Sequence, residues 1–274
     1  MNKELYIIAS PIGNINDASK HMIETLEKIE YLFCEDTRVT NKLLQILKIN
    51  NQPKLISYHK FNETKNLKQA IELINKFKCA IISDAGYPCI SDPGYILINE
   101  CHKLKIKINV VDGPSAIMHA IVQSGLCTNG FIFIGFLPRE EKEIISTLNN
   151  LKNINLPIVF FESVHRLNKT ILIMKKEFNN SQLYIGRELS KKFEEYLVGE
   201  VKEINEVKEK GEFTLVIKIK NETINNKIDY EKELSILINH NMRLKDACKY
   251  LAQKYKEVSA NILYEKFKTK FNKT

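Results

Sequence analysis

The chain has 274 residues, 44% hydrophobic and 27% charged, with a formal net charge of +8 and an isoelectric point near 9.0. That balance excludes a disordered or collagen-like chain and suits one large globular domain or two of ordinary size, while the basic excess favours a polyanionic partner. Six cysteines lie far apart with no C-x-x-C pair, and no apolar run reaches membrane-span length, so a zinc site and a transmembrane segment are unsupported and a cytoplasmic protein is expected.

Glu4 to Ser10 reads as a buried strand that leaves into Pro11-Ile12-Gly13-Asn14, a turn-rich exit. A dinucleotide fingerprint needs G-x-G-x-x-G at this point; Gly13 stands alone, so a Rossmann site is unsupported. Ser19 to Ile29 has a helical period, and Tyr31 to Cys34 is the next strand, ending in Glu35-Asp36-Thr37-Arg38. Two carboxylates, a hydroxyl and a guanidinium at one strand terminus make either a substrate clamp, with Arg38 on a phosphate, or an N-cap at Asp36 or Thr37 for a helix over Val39 to Leu47. Lys54 to Tyr58 is a third strand. Its exit, Tyr58 to Asn62, gathers aromatic, imidazole and ammonium groups that suit a nucleotide, although a lone histidine is more often structural. A helix over Glu63 to Phe77 follows.

The organising stretch is Cys79 to Gly94. Its first five residues form a short apolar strand, and the rest is too rich in Gly, Pro, Ser and Asp to continue it. Gly86 and Gly94 permit close backbone approach or positive φ, Pro88 and Pro93 stiffen the turns, and Asp84 stands just past the strand end, where open α/β sheets place ligand-binding groups. The exit is also longer than the usual strand-to-helix connection of about 2 to 6 residues, which favours function over mere linkage. A helix (Tyr95 to Leu104), a strand (Ile106 to Val111) and the turn Asp112-Gly113-Pro114-Ser115-Ala116 come next. Repeated strand, loop and helix imply a mainly parallel sheet whose exits converge on one edge.

The second half repeats the style. Strands are expected at Phe131 to Gly135, Pro157 to Phe161, Leu183 to Arg187 and Phe213 to Ile219, with helices running to about Leu151, to Phe178 and over Val201 to Lys210. Charged and hydroxyl residues again follow the strands, in Glu162-Ser163-Val164-His165-Arg166 and Glu188-Leu189-Ser190-Lys191-Lys192. Asn221 to Lys227 reads as a linker. Tyr230 to Phe271 carries helical periods in three pieces, resembling a helix-turn-helix module, with a plain helical cap as the alternative. Its Arg243, Lys245, Lys249 and Lys254 either dock a polyanionic partner or decorate a solvated face. The expected division is 1–113, 114–222 and 229–274.

Read together, these exits resemble the tetrapyrrole methylase superfamily of S-adenosylmethionine-dependent enzymes, and within it the branch that methylates small-subunit ribosomal RNA. The resemblance spans essentially the whole chain. It rests on Leu5-Tyr6-Ile7 with Pro11 to Asn14, on Glu35 to Arg38, on Ser83 to Gly86 through Ser91 to Gly94, and on Gly113 to Ala116. It continues in Gly135 to Pro138, Phe161 to Arg166, Arg187 to Lys191 and Gly211 to Phe213. Departures are Ala9-Ser10 where Pro-Thr is frequent, Tyr87 for Thr, Cys89 for Leu and Asp112 for Pro; Tyr87 matters most, because it places a larger side chain beside the expected cofactor.

The resemblance implies an α/β, two-domain class III methyltransferase fold with a C-terminal helical module, a homodimer, and S-adenosyl-L-methionine in the cleft between the domains without a metal. Matched by motif position, Ile12, Asp84, Tyr87, Ser115, Ala116, Phe161 and Phe213 line the cofactor pocket. The implied acceptor is the 2'-hydroxyl of a cytidine in the decoding region of 16S rRNA within the small ribosomal subunit, with Arg38, Arg166, Arg187 and Lys191 on the RNA. A small-molecule methyltransferase of the same fold, or a non-catalytic rRNA-binding assembly factor, is the alternative. A weakly acidic hydroxyl gains from a nearby proton acceptor, and Asp36, Glu162, His165 and Glu188 are candidates. Glu162 leads because it follows a strand aimed at the cofactor; an N-cap or an ion pair with Arg166 or Arg187 is its competing role.

Overall fold

A computed structural model of the chain describes residues 3–127, 129–220, 229–240, 242–255 and 258–271. The chain divides into two compact units, residues 1–220 and 221–274.

Five strands of the first unit, β1 (Glu4–Ile8), β2 (Tyr31–Cys34), β3 (Lys54–Ser57), β4 (Cys79–Ile82) and β5 (Lys107–Val111), form an all-parallel sheet in the order β3-β2-β4-β1-β5. Both faces are covered, which is why these strands read as continuous apolar runs. Leu5, Ile7, Phe33 and Ile81 pack against Ala70 and Ile74 of α3 (Glu63–Ile74) and Leu97 and Cys101 of α4 (Tyr95–Lys103). On the opposite face Ile8, Leu32 and Ile82 meet Met22 and Leu26 of α1 (Lys20–Leu26) and Leu44 of α2 (Thr37–Ile46). The strand order explains the convergence of exits: β4, β1 and β5 are neighbours in the sheet although far apart in sequence, and β2 stands on the far side of β4.

Helix α5 (Ala116–Ser124) begins at Ser115, whose hydroxyl accepts the Met118 N–H, and ends at Gly125 with φ of 65°. It leads to a second sheet of β6 (Ile132–Phe136), β7 (Ile158–Glu162), β8 (Gln182–Arg187), β9 (Glu195–Glu200) and β10 (Phe213–Lys218), ordered β6-β7-β10-β8-β9. Here the parallel expectation does not carry over: β6 and β7 are parallel, whereas β7, β10, β8 and β9 are antiparallel to their neighbours. Ile158, Phe160, Leu183, Ile185, Leu215 and Ile217 pack under α6 (Glu141–Lys152) and α7 (Leu167–Glu177), while Val159, Tyr184 and Val216 take Ala120 and Ile121 of α5.

Two elements correct the sequence reading. Val201, Ile204 and Val207 stand three apart and imitate a helix, but the chain makes one 3-10 turn at Val201–Glu203 and then runs without helix, with Val201 and Ile204 buried in the second core. Glu195–Glu200, for which the sequence reading names no element, is the edge strand β9. The expected helix start at Val39 also moves back to Thr37, because the Asp36 carboxylate caps the Arg38 N–H.

The second unit contains α8 (Tyr230–Asn239), α9 (Leu244–Lys254) and α10 (Ala260–Phe271) around Leu234, Ala247, Cys248, Leu251, Leu263 and Phe267. The linker expected at Asn221 to Lys227 lies outside the described residues. So small a unit holds only a few kcal/mol of stability, about what a buried Leu→Ala change removes, roughly 2 to 5 kcal/mol. Leu251→Ala should therefore unfold this unit alone: limited proteolysis should degrade the C-terminal segment and leave a resistant 1–220 fragment. Equal resistance of both segments would contradict the independence of the two cores.

Candidate functional site

The exits of β1, β4 and β5 are tied to one another by backbone. Ser10 and Gly86 form an isolated antiparallel bridge, with Ser10 N–H donating to the Gly86 carbonyl at 2.9 Å and Gly86 N–H to the Ser10 carbonyl at 3.1 Å. The buried Ser10 hydroxyl donates to the Ser83 carbonyl at 2.9 Å, and the Ser83 hydroxyl donates to the Gly86 carbonyl at 3.0 Å. Gly86 has φ of 73°, a conformation that glycine adopts without strain. A Cβ at Gly113 would stand 2.8 Å from the Ala9 carbonyl oxygen, so the β5 exit lies directly on that of β1. The Tyr87 hydroxyl donates to Asp112 Oδ1 at 3.1 Å and accepts the Gly113 N–H at 3.2 Å.

Above these exits lies a cavity of about 800 Å³. Ile12, Tyr87, Ser115, Ala116, Phe161 and Phe213, six of the seven residues expected around a cofactor, line it, and so does Glu162. Asp84 does not: its neighbours Ala85 and Gly86 form the wall, while its own carboxylate accepts the Asp36 N–H at 3.3 Å. A second cavity of about 680 Å³, reaching His119 and Ser190, shares the wall of Ile12, Tyr87, Ser115 and Met118.

Much of the lining is aromatic and comes from the second sheet. Phe133 and Phe136 approach Phe161 with ring centroids 5.2 and 5.6 Å apart. Strand alternation would set residues three apart on opposite faces. A register shift between Phe133 and Phe136, with Gly135 at φ of 69°, brings both rings to the cavity. Sequence reading missed them, along with Phe131, Met118, Ile90 and Asp92; the Gly135 inside an apolar strand was the available signal.

The carboxylates around the β2 and β4 exits differ sharply. Asp36 receives the Arg38 side chain at 3.1 and 2.7 Å and its N–H at 2.8 Å, which holds its carboxyl down at about 2. Asp36 and Arg38 thus serve each other, with the Arg38 side chain exposed to solvent. Burial raises both Glu35 and Asp84, and Asp84 adds to the rise at Glu35. Burial, with Glu35 and Asp84 adding, pushes Asp92 up to about 6 against the opposing pull of Lys60 and Ser83.

The second-sheet candidates are largely committed to internal contacts. Glu162 is the last residue of β7, not the first of the loop, and its side chain is fully buried. Its oxygens accept the Ser163 N–H at 2.7 Å, the Thr170 hydroxyl at 2.7 Å and the Arg166 guanidinium at 3.3 Å. Arg166 also donates to the carbonyls of Leu137 and Pro138 at 3.0 and 2.6 Å. Arg187 is buried, donating to the Lys210 carbonyl at 2.6 Å and to Glu195 at 2.8 Å. Glu188 accepts the Glu212 N–H at 2.9 Å and Lys191 at 3.1 Å; burial would raise its carboxyl, but these bonds lower it. Lys191 bridges Glu188 and Glu212, and those contacts outweigh its desolvation and raise its ammonium. His165 is exposed and lies outside the cavity lining. Among the described residues there is no metal-binding group of three or more His, Cys, Asp or Glu, and no helix is long and apolar enough to cross a membrane.

Residues 4–205 match the family model described as Tetrapyrrole (Corrin/Porphyrin) Methylases. A protein of Mycoplasma genitalium named Ribosomal RNA small subunit methyltransferase I is 39% identical over 273 residues, which is 97% of this chain and 98% of that protein. A protein of the same name from Mycoplasma pneumoniae is 37% identical over 96% of this chain and 98% of its own. The crystal structure of diphthine synthase superposes with a TM-score of 0.60 at 10% identity, covering 78% of this chain and 89% of that one, a likeness of fold alone. With its model match extending across both sheets and its relatives alike from end to end, the chain belongs to the tetrapyrrole (corrin/porphyrin) methylase family.

Proposed function

We propose that the chain is an S-adenosylmethionine-dependent methyltransferase of small-subunit ribosomal RNA, acting on the 2'-hydroxyl of a cytidine in the decoding region of 16S rRNA. The observation that carries this reading is the aromatic-walled cavity over three tied strand exits, in a chain that matches, over nearly its whole length, proteins named for small-subunit rRNA methylation. A volume of about 800 Å³ and a mixed lining suit a nucleoside-sized cofactor. Phe161, Phe213 and Ile12 would hold the adenine, and the N–H groups at the start of α5, at Ser115 and Ala116, would receive the amino-acid carboxylate. Tyr87 fixes the wall between the two through Asp112 and the Gly113 N–H. The cofactor supplies an electrophilic methyl group on a sulfonium. The protein's own contribution is to hold the acceptor in line and exclude water.

The net charge of +8 favours RNA as the acceptor. Arg38, exposed at the β2 exit although paired with Asp36, is the candidate for phosphate contact; Lys191 is held between Glu188 and Glu212, and Arg166 and Arg187 act through the loops they brace. In the helical unit, Arg243, Lys245 and Lys249 are exposed, whereas Lys254 pairs with Glu233 at 2.9 Å. We assign RNA docking to the first three. The apolar edge formed by Phe193, Tyr196, Leu197 and Val198, all exposed, is the surface a homodimer would bury.

Four measurements test the reading. Calorimetry should show binding of S-adenosylmethionine, and Phe161→Ala should weaken it about tenfold or more, since a buried phenyl contact contributes roughly 1.5 to 3 kcal/mol. Labelled methyl should pass to 30S subunits; transfer to uroporphyrinogen with none to 30S would overturn the acceptor. Truncation after Asn226 should raise KM for 30S subunits and leave cofactor affinity unchanged, whereas an unaltered KM would remove the docking role. Light scattering should return the mass of two chains, and a monomer at micromolar concentration would exclude the dimer.

A further inference from the structure

Asp92 lies in the long β4 exit and lines the cavity with Ile90 and Ser91. The position is built with care. Cys89 and Ser91, neither of them glycine, hold φ of 72° and 68°, strained conformations that persist only where the surroundings impose them. The Cys89 N–H donates to the Pro93 carbonyl at 3.3 Å, and the Gly94 N–H donates to Glu63 Oε2 at 3.1 Å, closing the loop around Asp92. A Cβ at Gly135 would stand 3.5 Å from Ser91 Oγ, so this loop abuts the β6 bulge and its segment reaches the interface between the two sheets.

Three other carboxylates near the cleft are committed to partners. Asp36 is clamped by Arg38, Glu188 by Lys191 and the Glu212 N–H, and Glu162 by Ser163, Arg166 and Thr170. Asp92 faces Glu35 from the β2 exit, Asp84 and Ser83 from the β4 exit, Lys60 from the β3 exit and Cys89 in its own loop. The two carboxylates and burial make its ionised form a stronger proton acceptor than an ordinary aspartate, and its carboxyl at about 6 leaves it ionised at neutral pH.

We infer that Asp92 is the catalytic base that takes the proton of the acceptor hydroxyl during methyl transfer. The inference rests on the methyltransferase reading above. In the step, the acceptor O–H bond breaks and its proton passes to the Asp92 carboxylate. The oxygen's electron pair forms the new O–CH₃ bond as the carbon–sulfur bond of the sulfonium opens, its pair remaining on sulfur.

The test compares wild type, Asp92→Asn and Asp92→Glu on 30S subunits from pH 5 to 9. Wild-type kcat/KM should rise with pH to a plateau above about 6. Asp92→Asn should lower kcat roughly 10²- to 10⁴-fold and abolish that acid limb, with cofactor affinity by calorimetry unchanged; Asp92→Glu should recover part of the rate. A second readout needs no turnover. A carboxyl raised in the folded state above its ordinary value of 3.8 stabilises the fold below pH 4, and that contribution is lost as pH rises through 6. The melting temperature of cofactor-free Asp92→Asn should therefore gain on wild type between pH 4 and 7. An Asp92→Asn kcat within threefold of wild type, or loss of cofactor binding in that variant, or a melting difference independent of pH, would overturn the assignment. A wild type that binds cofactor but methylates no 30S would bring down the acceptor reading, and this inference with it.

Discussion

The two hydrogen bonds between Ser10 and Gly86 set the geometry on which the cleft depends. Parallel strands bring their exits to the same sheet edge, but do not by themselves hold those exits in register. The bridge makes the β1 and β4 exits a short two-stranded ladder beyond the sheet; the Ser10 hydroxyl satisfies the Ser83 carbonyl, and the Ser83 hydroxyl adds a second bond to the Gly86 carbonyl. Gly86 supplies the backbone angle and Gly113 the close approach of the third exit. Loops this closely tied behave as part of the scaffold, which is what a site needing fixed orientation of donor and acceptor requires.

Around that scaffold the charged residues divide into two kinds. Glu162, Arg166 and Arg187 are internal cross-links: each ties a strand end of the second sheet to a neighbouring loop or helix, through Thr170, Leu137 and Pro138, and Lys210 respectively. Removing one partner of such a buried set leaves the other unpaired, so their presence at strand ends follows from folding alone. Glu35, Asp84 and Asp92 are the opposite case, carboxylates gathered with little neutralisation, and the fold bears their mutual repulsion. Such an arrangement is unfavourable for stability and marks a place where chemistry has been given precedence.

The exits were legible in the sequence because Gly, Pro and Asp punctuate apolar runs; Ile12, Tyr87, Ser115 and Ala116, which only the family resemblance singled out, line the cavity at those exits. What could not be read was anything set by pairing between distant strands. Phe136 reaches the cavity only through the bulge at Gly135, and Arg187 turns inward because Lys210 and Glu195 come to it from other elements. The run from Val201 to Val207 misled for a related reason: a three-residue spacing of apolar side chains satisfies one helix face, but it also serves a non-helical segment laid across a core. Asp92 was visible as part of a motif, yet its surroundings are set by Glu35 and Lys60, which come from two other strand exits.

Tyr87 and Asp112, two positions at which this chain departs from the pattern it resembles, are bonded to each other, with the Gly113 N–H as third member. A threonine at 87 would not reach across the gap, and a proline at 112 would offer no carboxylate. Changing either residue alone strands the other: Asp112 would lose its donor, or the phenol would keep only one of its two partners. The two positions are therefore energetically coupled. Grafting this loop into a relative means transferring both residues, because neither carries the structure by itself.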